Sequence, residues 1–129
     1  MRCADVIEWL KTKYPGIGIY NGTIPKNEDQ CIGIYLKERG SPVIAVGGLP
    51  CTSTAILPVS ILVHWGQDAD ICEAMAQGIY DRMLGNVTET IGGAGVTQFA
   101  LQDSSPVDIS RDENNICEMV IRVNIVYER

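Results

Sequence analysis

Residues 104–129 read SSPVDISRDENNICEMVIRVNIVYER, directly after Asp103, and the alternation in the second half of this stretch decides the fold. From Cys117 onward, Cys117, Met119, Ile121, Val123, Ile125 and Tyr127 fall on one side of an extended chain, with Glu118, Val120, Arg122, Asn124, Val126 and Glu128 on the other. A period of two in a run rich in β-branched residues specifies a strand with one buried and one mainly polar face. Residues 95–102, GVTQFALQ, read as a second strand, and the Ser, Pro, Asp and Asn punctuation of residues 103–115 reads as the loop between the two. The strands are expected to pair as an antiparallel hairpin. A connection of about a dozen residues is longer than hairpins ordinarily use, which makes it a candidate for function.

Further toward the N-terminus, residues 54–65 alternate again, with Val59, Ile61, Val63 and Trp65 opposite Ser60, Leu62 and His64. Asp68 is a good N-cap for a helix reaching about Leu84, whose apolar stripe is Ile71, Met75, Ile79 and Met83, widened by Cys72, Ala74 and Gly78. Gly85 and Asn86 close it, and IGGAG at 91–95 reads as a flexible connection, a hinge or surface loop. A first helix over residues 3–13 carries Val6, Ile7 and Leu10 on one face, and Tyr14-Pro15-Gly16 ends it. Residues 17–20 and 31–36 share a Gly-Ile-Tyr texture that suggests the two edges of one hairpin, and their glycines suggest close approach by another group. Residues 43–46 form a short apolar piece between Gly- and Pro-containing turns, a possible strand. The expected fold is a single α+β domain over residues 1–129, a mainly antiparallel or mixed sheet with two helices packed on one face.

With 129 residues, 46% hydrophobic and 20% charged, the chain has the composition of an ordinary globular domain. Its longest apolar run, residues 55–63, is too short and interrupted to span a bilayer, and the N-terminal residues carry acids where a signal peptide is apolar. A formal net charge of −6 argues against bulk nucleic-acid binding, which needs clustered Lys and Arg. The 5 cysteines are scattered without a C-x-x-C pair and are expected to be reduced, mostly buried thiols of a cytosolic protein.

Catalytic chemistry finds little support. His64 is the only histidine, so a Cys/His nucleophile site must use it, and its place at the end of an apolar strand suits a structural role better. Asp103, Asp108, Asp112 and Glu113 do not reproduce a calcium-loop spacing, and the Met stripe of the second helix reads as core. No metal or cofactor is expected, and residues 92–95 lack the strand-to-helix setting of a phosphate loop. A small acidic domain with long polar loops suits assembly better than chemistry.

Three features together carry a resemblance: Ser105-Pro106, the run Ser110-Arg111-Asp112-Glu113-Asn114-Asn115, and the alternating strand through Asn124-Ile125-Val126-Tyr127. With the strand and Ala/Ile/Met helix over residues 54–84, they resemble the minor capsid and tail-terminator group of long-tailed bacteriophages and prophages. The resemblance implies a non-enzymatic virion protein at the head–tail junction, assembled in the bacterial host cytoplasm. Such a protein forms a ring, typically a hexamer, that ends tail-tube polymerisation and joins the tail to the head. The implied partners are copies of itself, the tail-tube protein and a head-completion or connector protein, with DNA only as passing cargo and no membrane. Another head–tail connector or neck component is the alternative, and a cytosolic Cys/His-dependent enzyme a distant one.

Within that reading, the loops at residues 22–30 and 103–115 are the expected recognition surfaces. Arg111, Asp112 and Glu113 are the first candidates for subunit or tube contacts through charge-assisted hydrogen bonds, followed by Lys26, Glu28 and Asp29. The bland alternative for these charges is a solvated loop tip.

Overall fold

The computed structural model describes residues 1–25, 27–37, 54–85 and 89–128. Along the chain these form α1 (Cys3–Lys13), β1 (Gly18–Asn21), β2 (Gln30–Leu36), β3 (Thr54–Trp65), α2 (Ala69–Met83), β4 (Thr90–Ile91), β5 (Ala94–Leu101), β6 (Val107–Arg111) and β7 (Cys117–Glu128). The fold is α+β. The expected short strand at 43–46 lies outside the described residues.

The strands form one 7-stranded mixed sheet in the order β1-β2-β3-β7-β5-β4, with β6 also on β7. The long strands β3 and β7 are its antiparallel centre, and their register places Leu57, Val59, Ile61 and Val63 opposite Ile125, Val123, Ile121 and Met119. Directly paired residues share a face, so two period-two patterns in register produce one continuous apolar surface. All of these but Met119, which is partly buried and packs against them, belong with Ile32, Ile34 and Phe99 of the flanking strands to a single cluster that also holds Val6, Ile7, Trp9 and Leu10 of α1 and Cys72, Ala76, Ile79, Tyr80 and Met83 of α2. Each fully buried Ile or Leu in it contributes about 1.5–3 kcal/mol. Pro58 is tolerated in β3 because its backbone polar atoms point toward β2, which has already ended there; its carbonyl accepts the Lys37 N–H.

The structure changes four sequence expectations. β1 and β2 are not a hairpin but run parallel, with Gly18 opposite Cys31 and Asn21 opposite Ile34. The segment between them returns the chain to the end where β1 began, with Gly22 donating its N–H to the Ile34 carbonyl and Ile24 lying over the sheet, a shorter route than the crossover of a dozen or more residues that parallel strands usually take. Gly33 makes room for that crossing, since a Cβ there would sit 3.0 Å from Ile24 Cγ2. The strand glycines do mark close approach, as expected, but to the crossing segment.

The IGGAG segment is a tight hairpin turn rather than a flexible connection. Gly92 and Gly93 adopt φ of +59° and +80° between β4 and β5, the paired left-handed geometry that suits the twist of a two-residue hairpin. The 103–115 segment is likewise not all loop. β6 continues along the edge of β7 that β5 leaves, pairing Val107 with Val120 and Arg111 with Cys117. On α2 the buried stripe is Cys72, Ala76, Ile79, Tyr80 and Met83, while Ile71 is 53% exposed and Ala74 and Gly78 face solvent. The helix is turned so that Tyr80 reaches the Asp103 carbonyl, at 2.7 Å, and this takes Ile71 off the core.

Candidate functional site

The two loops singled out in the sequence meet over His64, on the face of the sheet opposite the one that carries Val59, Ile61 and Val63. Alternation sends Cys31, His64 and Glu118 to that face, as neighbours across β2, β3 and β7. Ile24 and Pro25 of the crossing segment come down on one side of His64, and Asp112, Glu113 and Asn114 of the β6–β7 turn on the other. Between them lies an open pocket of about 110 Å³, with Glu118 completing its wall.

Each wall is held by a local device. Asp112 organises the turn: its Oδ1 accepts the N–H groups of Asn114 and Ile116, both at 2.9 Å, and its carbonyl accepts the Asn115 N–H. Asn115 takes the left-handed φ of +64° that this residue type tolerates. Glu28 accepts the Tyr20 hydroxyl, fastening the crossing segment over Gly18. Gly66 ties the two sides together, donating to the Asp29 carbonyl at 2.7 Å and accepting from the Cys117 N–H at 2.8 Å.

His64 is buried, with 6% of its side chain exposed. Its Nδ1 lies 3.0 Å from Glu118 Oε2, while Nε2 faces Asp112 Oδ2 at 3.8 Å, too far for a hydrogen bond. The two carboxylates sit at opposite ring nitrogens, so they cannot share a metal ion with the imidazole. Among the described residues no group of three or more His, Cys, Asp or Glu has an arrangement that holds a metal.

Cys31 is directly opposite His64 across β2 and β3, the pairing among the described residues that a Cys/His nucleophile site would have to use. Burial, reinforced by the charges of Glu28 and Glu118, pushes its thiol up to about 11. A nucleophilic cysteine needs the reverse shift, so this is the setting of an inert thiol. Cys3, Cys72 and Cys117 are also buried, and Cys51 lies outside the described residues. Three of the four acids considered for calcium are engaged separately, and the fourth, Glu113, is exposed. Asp103 pairs with Arg122 at 2.6 Å, Asp108 accepts the Ser110 N–H at 2.9 Å, and Asp112 holds the turn.

Of the proposed contact residues, Asp112 and Glu113 line this pocket, and Arg111, Glu28 and Asp29 are not part of its lining. Arg111 turns back onto the protein, donating from Nη1 to the carbonyls of Gln67 and Asn115, both at 2.9 Å. Asp112 is half-buried, Glu113 is exposed at the turn, Glu28 is half-buried and Asp29 exposed. Lys26 lies outside the described residues. His64 and Glu118 were missed as site residues; the only sequence signal was a histidine and a glutamate on the polar sides of two alternating strands.

No helix among the described residues is long and apolar enough to cross a membrane. No curated protein matches the chain. The family profile described as bacteriophage tail terminator protein matches residues 5–129, nearly the whole chain. That match over residues 5–129 gives the conclusion: the chain belongs to the bacteriophage tail terminator protein family, a family of structural phage tail proteins.

Proposed function

We propose that the chain assembles into a closed ring of six copies at the head-proximal end of the tail, halts tail-tube polymerisation and offers the surface to which the head is joined. The family match over residues 5–129 carries this reading. The ring works by recognition rather than reaction, through a heterologous contact repeated around a closed circle plus separate faces for its neighbours. Its partners are its own copies, the tail-tube protein and a head-completion or connector protein. It resides in the virion at the head–tail junction after assembly in the host cytoplasm.

The turn carrying Arg111, Asp112 and Glu113 and the crossing segment with Lys26, Glu28 and Asp29 supply contact surface. DNA traverses the ring as cargo, and the net charge of −6 keeps it from adhering. The test is complementation of a phage lacking this gene. Tails of unregulated length that regain a fixed length and join heads when the chain is supplied support the proposal. Tails of normal length without it overturn it. Reversing the charges of Arg111 and Asp112 should weaken ring assembly, and unchanged assembly removes them from the contact.

A further inference from the structure

Asn21 is the one asparagine of the chain that is followed by glycine. Such a step carries its own chemistry. The backbone nitrogen of the glycine can attack the side-chain amide carbon of the asparagine, and glycine allows the approach most readily because it has no Cβ to crowd it. Asn21 ends β1 and is exposed to water, and Gly22 follows it at φ +84°.

The fold keeps the reacting atoms apart in two ways. Asn21 lies in strand register with Ile34, and an extended residue, with ψ of about +115° in a parallel pair, turns the following nitrogen away from its own side chain. The Gly22 N–H also donates to the Ile34 carbonyl at 2.8 Å, so the nitrogen that must lose its proton to react is tied to β2. Both restraints hang on a short strand. β1 has 4 residues, and among the described residues it pairs with β2 alone. Its anchors are Ile19, buried in the core, and the Tyr20 hydroxyl, bonded to Glu28 of the segment that follows. The end of such a strand opens locally at a far smaller free-energy cost than the whole domain unfolds.

We infer that Asn21-Gly22 is a modification site gated by the end of β1: water converts Asn21 to aspartate or isoaspartate when the strand end opens, and the closed sheet suppresses the reaction. The Gly22 nitrogen gives its proton to solvent and bonds to Asn21 Cγ, while the Cγ–Nδ2 bond breaks and Nδ2 takes up a proton and leaves as ammonia. One water then opens the five-membered imide at either carbonyl, and nothing is oxidised or reduced. Opening at the former backbone carbonyl leaves isoaspartate, whose extra main-chain carbon moves Gly22 off the Ile34 carbonyl. Either product adds a negative charge where the segment carrying Glu28 begins. The isoaspartate product cannot close again in the former register, so the change runs one way.

Incubation of the full chain in buffer and in urea tests it, with peptide mapping by mass spectrometry and chromatographic separation of the aspartate and isoaspartate peptides. Asn21→Gln, whose longer side chain closes a less favourable ring, assigns the signal to this site. Expected is conversion of Asn21 in urea at least about tenfold faster than in the native chain. Tyr20→Phe and Ile19→Ala loosen the two anchors without touching the reacting atoms, so each should raise the native rate severalfold and leave the rate in urea unchanged. Circular dichroism verifies folding, and Tyr20→Phe decides alone if Ile19→Ala does not fold. Equal rates in buffer and in urea overturn the gate, as does a native rate that no folded variant moves. A chain in which Asn21 stays unmodified even in urea overturns the site itself.

Discussion

His64 and Glu118 are directly paired across β3 and β7, and the imidazole Nδ1 lies 3.0 Å from the carboxylate Oε2. Because the ring is buried, removing its partner strands a polar group away from water. Glu118→Ala is expected to lower the unfolding free energy by about 1–3 kcal/mol. Glu118→Gln retains an acceptor oxygen and should cost about 1 kcal/mol or less. Urea denaturation of the two variants measures the difference, and equal losses would remove the hydrogen bond from the explanation.

The β4–β5 turn should distinguish its two glycines. Gly93 has φ +80° with open space where a Cβ would go, so Gly93→Ala incurs only the left-handed backbone cost of about 1–2 kcal/mol. A Cβ on Gly92 would also lie 2.6 Å from Asp5 Cγ and displace the carboxylate that accepts the Arg2 N–H at the start of α1. Gly92→Ala is therefore expected to be the more damaging, read as the larger drop in thermal midpoint.

Ser110 holds φ at +95° in the irregular register between Asp108 and Ser110, a conformation that glycine adopts without strain. Ser110→Gly should raise stability by about 0.5–1 kcal/mol after the greater freedom of the unfolded chain is subtracted. Ser110→Ala keeps the strain and should stay within about 0.5 kcal/mol of the parent. Thermal unfolding of the pair checks the sign.

Asp103 and Arg122 form a bidentate pair, with contacts of 2.6 and 2.9 Å, on the exposed side of the sheet. The hydrogen bond from Arg122 holds the Asp103 carboxyl below its ordinary value. A carboxyl depressed in the folded state stabilises above its ordinary value, and that contribution disappears as pH falls through the depressed one. Asp103→Asn should therefore be less stable than the parent at neutral pH and should converge with it in strong acid. A gap that is constant across the acid range would contradict the linkage.

Burial first, and then neighbouring charges, push the Cys31 and Cys72 thiols up to about 11. At neutral pH both should resist alkylation by iodoacetamide in the native protein and react freely in denaturant. Peptide mapping by mass spectrometry reads each site, and rapid native labelling of either would show that the thiol is accessible.

Much of the framework was legible because it depends on local patterns. The helix over Cys3–Lys13, the strand over Thr54–Trp65 and the helix begun by Asp68 follow from apolar spacing and an N-cap, features carried by neighbouring residues alone. The alternation beginning at Cys117 likewise gave β7, and its pairing with β5 followed from their order and polarity. Pattern failed where two distant choices compete. Ile71 fits the helical stripe of α2 as well as Cys72 does, and only the direction from which β3 and β7 approach selects between them. The same limit hid the parallel pairing of β1 and β2, because residues 22–29 can turn beside a strand or cross over it with the same composition.

By itself the sequence determined which face of each long strand is apolar, where the helices begin and end, and that residues 103–129 govern the sheet, since periodicity and capping act over a few bonds. Only the tertiary structure decided that β6 extends along β7, that Ile24 lies over Gly33, and that both loops close over His64. The physical reason is register. Placing His64 opposite Glu118 requires two strands to align residue by residue, and placing it beside Asp112 requires a turn folded back onto their face. Such proximity arises from the packing of segments far apart in the chain.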